Sequence, residues 1–526
     1  MSNSHFDRNI MTSTIGNATG CAASAFSTPT LLGAEFLSLE ANLVTDYSFD
    51  VPKGWTYSQP ALNVQNATFC NVTVSYTHPG LNDTIYVEAW LPNEDDYNGR
   101  LQSLGGSGWT AGRFVLQYGG MINAVANGYA SVTTDAGVPG DLTDWLFVSP
   151  GNLNTNALQN LGQVSLNDEA IIAKQLIKSF YGKAPSYSYW NGCSQGGRQG
   201  LKLAQQYPSA YDGIIAAAPG INWAEFFMNT IWPLFYMEST QQFPRGCELD
   251  EITSLAIASC DELDGVKDGI ISDVDACRRS FDAFKQIGTS FHCSGTNSNI
   301  KISHAAAAVA NASWSGPRFS DGRFMYYGFE IGTALSEVAP TKCTGDTCVG
   351  ARQDFAFAYQ AFVNRKVTTE LTNITARDFD TLYRNVRLLY ASNLETNDID
   401  LRDFRDAGGK MITFHGLADT AISPAGTLDY YNQVSDFTGN VTSFYKYYRV
   451  PALKHCWGGN GGQPEALFSQ LRAWVENGTS PEDSPVVIAG LGNSTQQQII
   501  CPWPQTARFD GSCSAKNSTT CWSCKE

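Results

Sequence analysis

No run of apolar residues in this chain is long enough to span a bilayer, and Met1–Gly20 is polar, without the apolar core of a signal peptide. Membrane partners are therefore not expected. Basic residues are scarce, with 34 Lys and Arg against 50 Asp and Glu and a net charge of −16. A surface of that sign repels nucleic acid and anionic lipid. No repeat, low-complexity linker or long charged block divides the 526 residues. No Gly-Lys-Ser/Thr follows Gly105-Gly106-Ser107-Gly108, so those glycines are not a phosphate loop. What is present is 43% hydrophobic and 12% aromatic residues, enough for a sizeable core.

Cysteine is plentiful. Fourteen of them, an even number, point to an oxidising compartment and to disulfides. Asn17, Asn66, Asn71, Asn82, Asn311, Asn373, Asn440, Asn477, Asn493 and Asn517 each head an Asn-x-Ser/Thr sequon. Together these suggest a secreted, N-glycosylated protein whose leader is not part of this chain. Cys260 and Cys277 are expected to pair, and Cys501, Cys513, Cys521 and Cys524 to pair among themselves.

Gly192-Cys193-Ser194-Gln195-Gly196 reads Gly-x-Ser-x-Gly, the nucleophile elbow of α/β-hydrolases. A Gly-rich turn can carry an ordinary serine, but the context here is specific. The aromatic run Ser186–Trp190 before it suits a strand, and Gly200–Gln206 behind it is made of helix formers. Such a turn exposes the serine hydroxyl and aims helix N-terminal amides at the same point. Gln195 is the expected first oxyanion donor. The Gly105–Gly108 loop after the strand-like Leu101–Leu104 is expected to supply the second, through Gly106.

The acid and base follow by elimination, because this fold orders its triad Ser, Asp or Glu, His. Of six histidines, His5 and His78 precede Ser194, and His292 and His304 lie in a Cys- and Ser-rich middle region. His415 sits in Met411–Gly416, which reads as a buried strand and its exit. Asp419 follows that strand, where the acid belongs, and only His455 comes later. Cys193 immediately precedes the nucleophile and Cys456 immediately follows the base. If Ser194 and His455 are within hydrogen-bond reach, their neighbours fall within disulfide range.

Asn191–Gly200, Tyr211–Gly220, Cys260–Ile270 and His455–Gly459 together resemble the tannase and feruloyl esterase family. The likeness runs from about Cys21 to the C-terminus. It implies an α/β-hydrolase with a large inserted lid, hydrolysis of aromatic-acid esters, a disulfide beside the triad and calcium in the lid. The catalytic domain is expected at 1–220 and 409–526, discontinuous, with the lid at 221–408. Feruloyl esters of plant cell walls, as small molecules or on polysaccharide, are the first expected substrate. Galloyl esters, the tannase substrate, are the alternative, and a catalytically inactive hydrolase fold used for binding is the rival. No redox or organic cofactor is implied. One departure from the family pattern is Lys454, directly before His455, which alters the local charge.

Within the lid, Asp261, Asp264 and Asp268 place three carboxylates in a glycine-punctuated loop that suits calcium. It is not an EF-hand, since the Asp-x-Asp-x-Asp-Gly spacing is absent. The resemblance adds the carbonyls of Val266 and Ile270 to the ligand set. Aromatic residues cluster at Trp223, Phe226, Phe227, Trp232, Phe235 and Tyr236 and again at Phe355, Phe357, Tyr359 and Phe362. Most are expected to be lid core, with a few facing Ser194 as a slot for a flat acyl group.

Overall fold

The computed structural model describes residues 20–138, 140–351, 374–489, 495–513 and 518–526. It divides into two compact units. The first holds residues up to Ala217 with Asp400–Ile412 and Glu465–Ser480; the second holds Ala218–Ile399, Thr413–Pro464 and Pro481–Glu526. The segment carrying Asp419 and His455 thus groups with residues 218–399 rather than with the elbow. Phe355, Phe357, Tyr359, Phe362 and the sequons at Asn17, Asn373, Asn493 and Asn517 lie outside the described residues.

The first unit is built on a mixed sheet. Its strands are β1 (Glu35–Val51), β2 (Leu62–Thr77), β3 (Ile85–Pro92), β4 (Arg100–Leu104), β5 (Ala130–Thr134), β6 (Tyr187–Cys193), β7 (Gly213–Ala217) and the start of β8 (Lys410–Gly416), in spatial order β1-β2-β3-β5-β4-β6-β7-β8. The β1–β2, β2–β3 and β3–β5 pairs are antiparallel, and every pair from β5 to β8 is parallel. All residues of β5 and β7 are buried, as strands covered on both faces require. Residues expected only as an extended lead-in up to about Val44 instead include β1, 17 residues long. Only Val44 and Val51 of it are buried, although Leu37, Leu39, Ala41, Leu43, Tyr47, Phe49 and Val51 alternate with mostly polar residues as a strand requires. A Cys21–Cys70 disulfide ties the lead-in to β2.

Helices α1 (Val115–Ala126), α2 (Ser165–Tyr181) and α3 (Gln195–Gln206) pack on this sheet. In α2, Leu166, Ala170, Ala173 and Ile177 recur at helical spacing and are buried, and Gly182 ends the helix with φ 73°.

In the second unit the rest of β8 has β9 (Tyr445–Val450) as its neighbour. Its helices include α4 (Trp223–Thr240), α5 (Gly246–Cys260), α6 (His304–Ser315), α7 (Ala376–Leu394) and α8 (Pro424–Thr438). Met237, Leu249, Ile252, Ala306, Val309 and Phe329 belong to one buried cluster. Trp223, Phe226, Phe227 and Phe235 are all buried, and Phe235 stacks on Phe379 of α7 with ring centroids 4.4 Å apart. Core packing is therefore the main role of the first aromatic cluster. Cys260–Cys277, Cys501–Cys524 and Cys513–Cys521 pair as the sequence suggests, joined by Cys247–Cys293 and Cys343–Cys348. Among the described residues no helix is long and apolar enough to cross a membrane.

Candidate active site

In the first unit, Ser194 is the single residue between β6 and α3, with φ 65° and ψ −118°. A non-glycine side chain avoids that conformation unless its surroundings enforce it. Here Ser194 N–H donates to the Ala217 carbonyl at 3.0 Å, and Ser194 C=O accepts from Arg198 N–H at 2.9 Å. The motif glycines are explained by contact. A Cβ on Gly192 would stand 2.6 Å from the Gly196 carbonyl, and one on Gly105 would stand 2.6 Å from the Gly196 Cα. Three backbone segments pass at distances that only glycine allows.

The Gln195 N–H opens α3, where no residue four positions back accepts it. Its side chain is fixed from below: Gln195 Oε1 accepts from Arg198 Nε at 2.8 Å, and the Arg198 guanidinium also donates to the carbonyls of Gly162 and Leu161. Gly106 departs from expectation. Its N–H donates to Gln199 Oε1 at 2.8 Å, because Gln199 lies one turn along α3 and reaches back to the glycine loop. That amide is already engaged in the structure and does not stand open as an oxyanion donor. In the sequence the only signal for Arg198 and Gln199 is their place one turn past Ser194 and Gln195.

In the second unit, Asp419 sits in the turn after β8 and His455 in the loop after β9. Ala418 N–H donates to the Leu453 carbonyl at 2.9 Å, drawing the two loops together. A Cβ on Gly416 would run into that same Leu453 carbonyl, so the approach requires glycine. His455 Nδ1 lies 2.7 Å from Asp419 Oδ2. Asp419 Oδ1 accepts from the N–H groups of Ala421 and Ile422 at 2.7 and 2.9 Å. A second imidazole, not foreseen from sequence, reaches the same carboxylate: His415 Nε2 is 2.9 Å from Asp419 Oδ2. Burial would push this carboxyl up, but the His455 and His415 imidazoles offset it and hold it well below the usual carboxylate range. Asp419 is fully buried while His455 keeps 17% of its side chain exposed. Lys454 pairs with Glu337 at 2.6 Å, which offsets the added charge beside His455.

The acidic loop is also in the second unit. Asp261, Asp264 and Asp268 are all buried. Asp261 Oδ1 accepts from the N–H groups of Asp268 and Gly269, Asp264 Oδ1 from Val266, and Asp268 Oδ1 from Ile270. Of the three remaining oxygens, Asp264 Oδ2 and Asp268 Oδ2 are buried with no hydrogen-bond partner. Burial and the neighbouring Asp264 and Asp261 charges push the Asp268 carboxyl up to about 7. Two orphaned carboxylate oxygens fit a hard cation. Among the described residues no three His, Cys, Asp or Glu side chains form a metal cluster by themselves, so such a cation would also need backbone carbonyls.

A parallel-cored sheet, a strained serine at a strand-to-helix turn and a later Asp–His pair in the order Ser, Asp, His place the protein among the α/β-hydrolases. More narrowly, the chain belongs to the tannase and feruloyl esterase family, whose model matches residues 70–523. It is 33% identical over 480 residues to a protein named "Probable feruloyl esterase" from Arthroderma benhamiae, covering 88% of this chain and 87% of that one. It is 27% identical over 545 residues to a tannase from Aspergillus oryzae, covering 92% and 89%. Among solved structures it resembles the tannin acyl hydrolase from Aspergillus niger, with a TM-score of 0.86, 26% identity and coverage of 96% and 95%.

Proposed function

We propose that this protein is a secreted serine carboxylesterase acting on esters of hydroxycinnamic acids, feruloyl esters of plant cell walls first among them. The observation that carries the reading is the 2.7 Å Asp419–His455 hydrogen bond on a fully buried carboxylate. Ser194, held in its strained turn, is the nucleophile this pair would serve. Its Oγ attacks the ester carbonyl while His455 takes the proton, and Asp419 holds the imidazole tautomer and balances the imidazolium. The alcohol leaves with that proton, and water then releases the acid from the acyl-enzyme. The Gln195 amide supports the oxyanion; Gly106 joins it only when Gln199 gives up its N–H. Residues 221–408 are read as a lid inserted in a catalytic domain of 1–220 and 409–526.

Galloyl esters are the second reading, favoured by the similarity to a tannase over most of both chains. Rates on methyl ferulate, p-coumarate, caffeate, sinapate and gallate, measured side by side, decide between them. A faster gallate rate than any cinnamate rate reverses the order. A serine-reactive phosphonate that leaves Ser194 unlabelled, with no turnover of any ester, returns the fold to a binding role.

The supporting features belong to the same reading. Cys193 and Cys456 are both disulfide-bonded, and the other twelve cysteines pair among themselves as six bridges. A Cys193–Cys456 link would limit drift of the base from the nucleophile. Non-reducing peptide mapping is expected to recover the two in one linked peptide, and either one joined to another cysteine overturns the tether. Exposed Asn66, Asn82, Asn311, Asn440 and Asn477 are the favoured glycan acceptors. Asn71 is a poorer one, since its Nδ2 donates to Glu88 Oε1 at 3.1 Å.

Calcium is the proposed occupant of the acidic loop, held by Asp261, Asp264 and Asp268 with the carbonyls of Val266 and Ile270. Its role there is to neutralise buried carboxylates and stiffen the lid, with no part in the chemistry. Chelation is expected to lower Tm by about 2–6 °C, with turnover at mild temperature changing much less. Adding calcium back should restore Tm. Elemental analysis that finds no calcium in protein prepared without chelator removes the proposal.

A further inference from the structure

We propose that His415 is a positioning residue for the reaction: it shares one oxygen of Asp419 with His455 and so fixes the direction in which that carboxylate acts. The proposal rests on the reading of Ser194, Asp419 and His455 as a triad. His415 is the penultimate residue of β8 and has no exposed surface. Its Nε2 faces two acceptors, Asp419 Oδ2 at 2.9 Å and the Ile422 carbonyl at 3.1 Å. Neither can donate while Asp419 is ionised, so Nε2 carries the hydrogen. The other ring nitrogen, Nδ1, lies 2.9 Å from the Thr427 hydroxyl on α8. With Nε2 protonated, the neutral ring accepts there from the threonine O–H. Both edges of the imidazole are therefore fixed, one by the helix and one by the catalytic turn.

The hydrogen-bond accounting on Asp419 shows what this does. Oδ1 is held by two backbone N–H groups, of Ala421 and Ile422. Oδ2 is held by two imidazole N–H groups, of His415 and His455. Without His415, Oδ2 keeps a single side-chain partner, and that partner is the base itself. The two backbone amides then still hold Oδ1, but no fixed donor holds Oδ2 on the line to His455 Nδ1. His415 comes from a strand buried from Met411 to Gly416, so it supplies the fixed reference that the more exposed His455 cannot. Histidine suits this task because it presents a donor to Asp419 and an acceptor to Thr427 at opposite edges of one rigid ring. The four-residue spacing of His415 and Asp419 across the strand exit lets one short turn carry both.

The test uses kcat and KM on a methyl hydroxycinnamate, normalised to sites titrated by a serine-reactive phosphonate. His415→Leu removes the donor and is expected to lower kcat per titrated site about 10- to 100-fold while KM stays nearly constant. His415→Gln places an amide N–H near the position of Nε2 and is expected to recover most of that loss. Thr427→Val, which frees the far edge of the ring, should give a smaller fall of the same kind and keeps the question answerable if the leucine variant does not fold. A purely structural role predicts lower Tm and fewer titratable sites but an unchanged kcat per site. That result, or equal losses for Leu and Gln, overturns the proposal. Ser194→Ala and His455→Ala are run beside them. If those two retain hydrolysis, the triad reading has failed; if they abolish it and His415→Leu does not alter kcat, only the positioning role has.

Discussion

Ser194→Ala is expected to lower kcat on a hydroxycinnamate ester by about 10⁴- to 10⁶-fold, with His455→Ala similar and the double variant hardly worse. The losses are not additive because each removes the same event, attack by an activated oxygen. What survives is the part of catalysis that needs no nucleophile, namely binding and the amides at the start of α3. Folding should change little in the serine variant. Ser194 donates and accepts through its backbone, and those bonds to Ala217 and Arg198 remain in alanine. The φ of 65° is no harder for alanine than for serine. The measurement is steady-state turnover with melting temperature on the same preparation. A Ser194→Ala protein that folds and retains a tenth of the parent rate would show that the nucleophile lies elsewhere.

The elbow was legible because its chemistry forces its sequence. Gly192 and Gly105 each meet the backbone of Gly196, and at those two positions no other residue fits. The Asp419–His455 pairing was legible because chain order removes the alternatives, Asp419 following the apolar Met411–Phe414 and His455 the aromatic-rich Phe444–Val450. The Cys260–Cys277 pair followed from local bracketing, and Cys501, Cys513, Cys521 and Cys524 pair among themselves as expected, whereas the partners of Cys21, Cys247 and Cys343 were not legible. Three further things were hidden. His415 reads as a strand residue, since burial in a strand and burial against a carboxylate look the same in a sequence. Engagement of the Gly106 amide depends on a side chain from a helix 93 positions away. Strand β1 does alternate, with Leu37, Leu39, Ala41, Leu43, Tyr47, Phe49 and Val51 at alternate positions, but little of it is fully buried, and what local pattern did not show was its pairing with β2. In each case the missing information is a partner distant in sequence or a surface left uncovered, and local pattern carries neither.

Asp419→Asn is expected to be nearly as damaging, about 10⁴-fold in kcat, and for a reason visible in the donors around it. The native carboxylate accepts four hydrogen bonds and donates none: two backbone N–H groups meet Oδ1, and the His415 and His455 imidazoles meet Oδ2. An asparagine has one acceptor oxygen and one NH₂ group. If the NH₂ takes the Oδ1 position, it opposes the amides of Ala421 and Ile422, which cannot turn away. If it takes the Oδ2 position, it opposes two imidazoles, and His455 can comply only by placing its proton on Nε2. That tautomer holds its hydrogen where it should receive the one from Ser194. The second arrangement is the cheaper, because rings can change tautomer and backbone amides cannot. The variant should therefore fold, at a cost of about 1–3 kcal/mol for the buried Ile422 carbonyl that loses the His415 Nε2–H, and yet fail in chemistry. Raising the pH should recover little of the rate at first, since the defect is the position of a proton rather than its presence. Turnover per phosphonate-titrated site, alongside the melting temperature, separates the two effects. A folded Asp419→Asn protein with near-parent turnover would mean that His455 takes its orientation from another acid, and the assignment of Asp419 would fall with it.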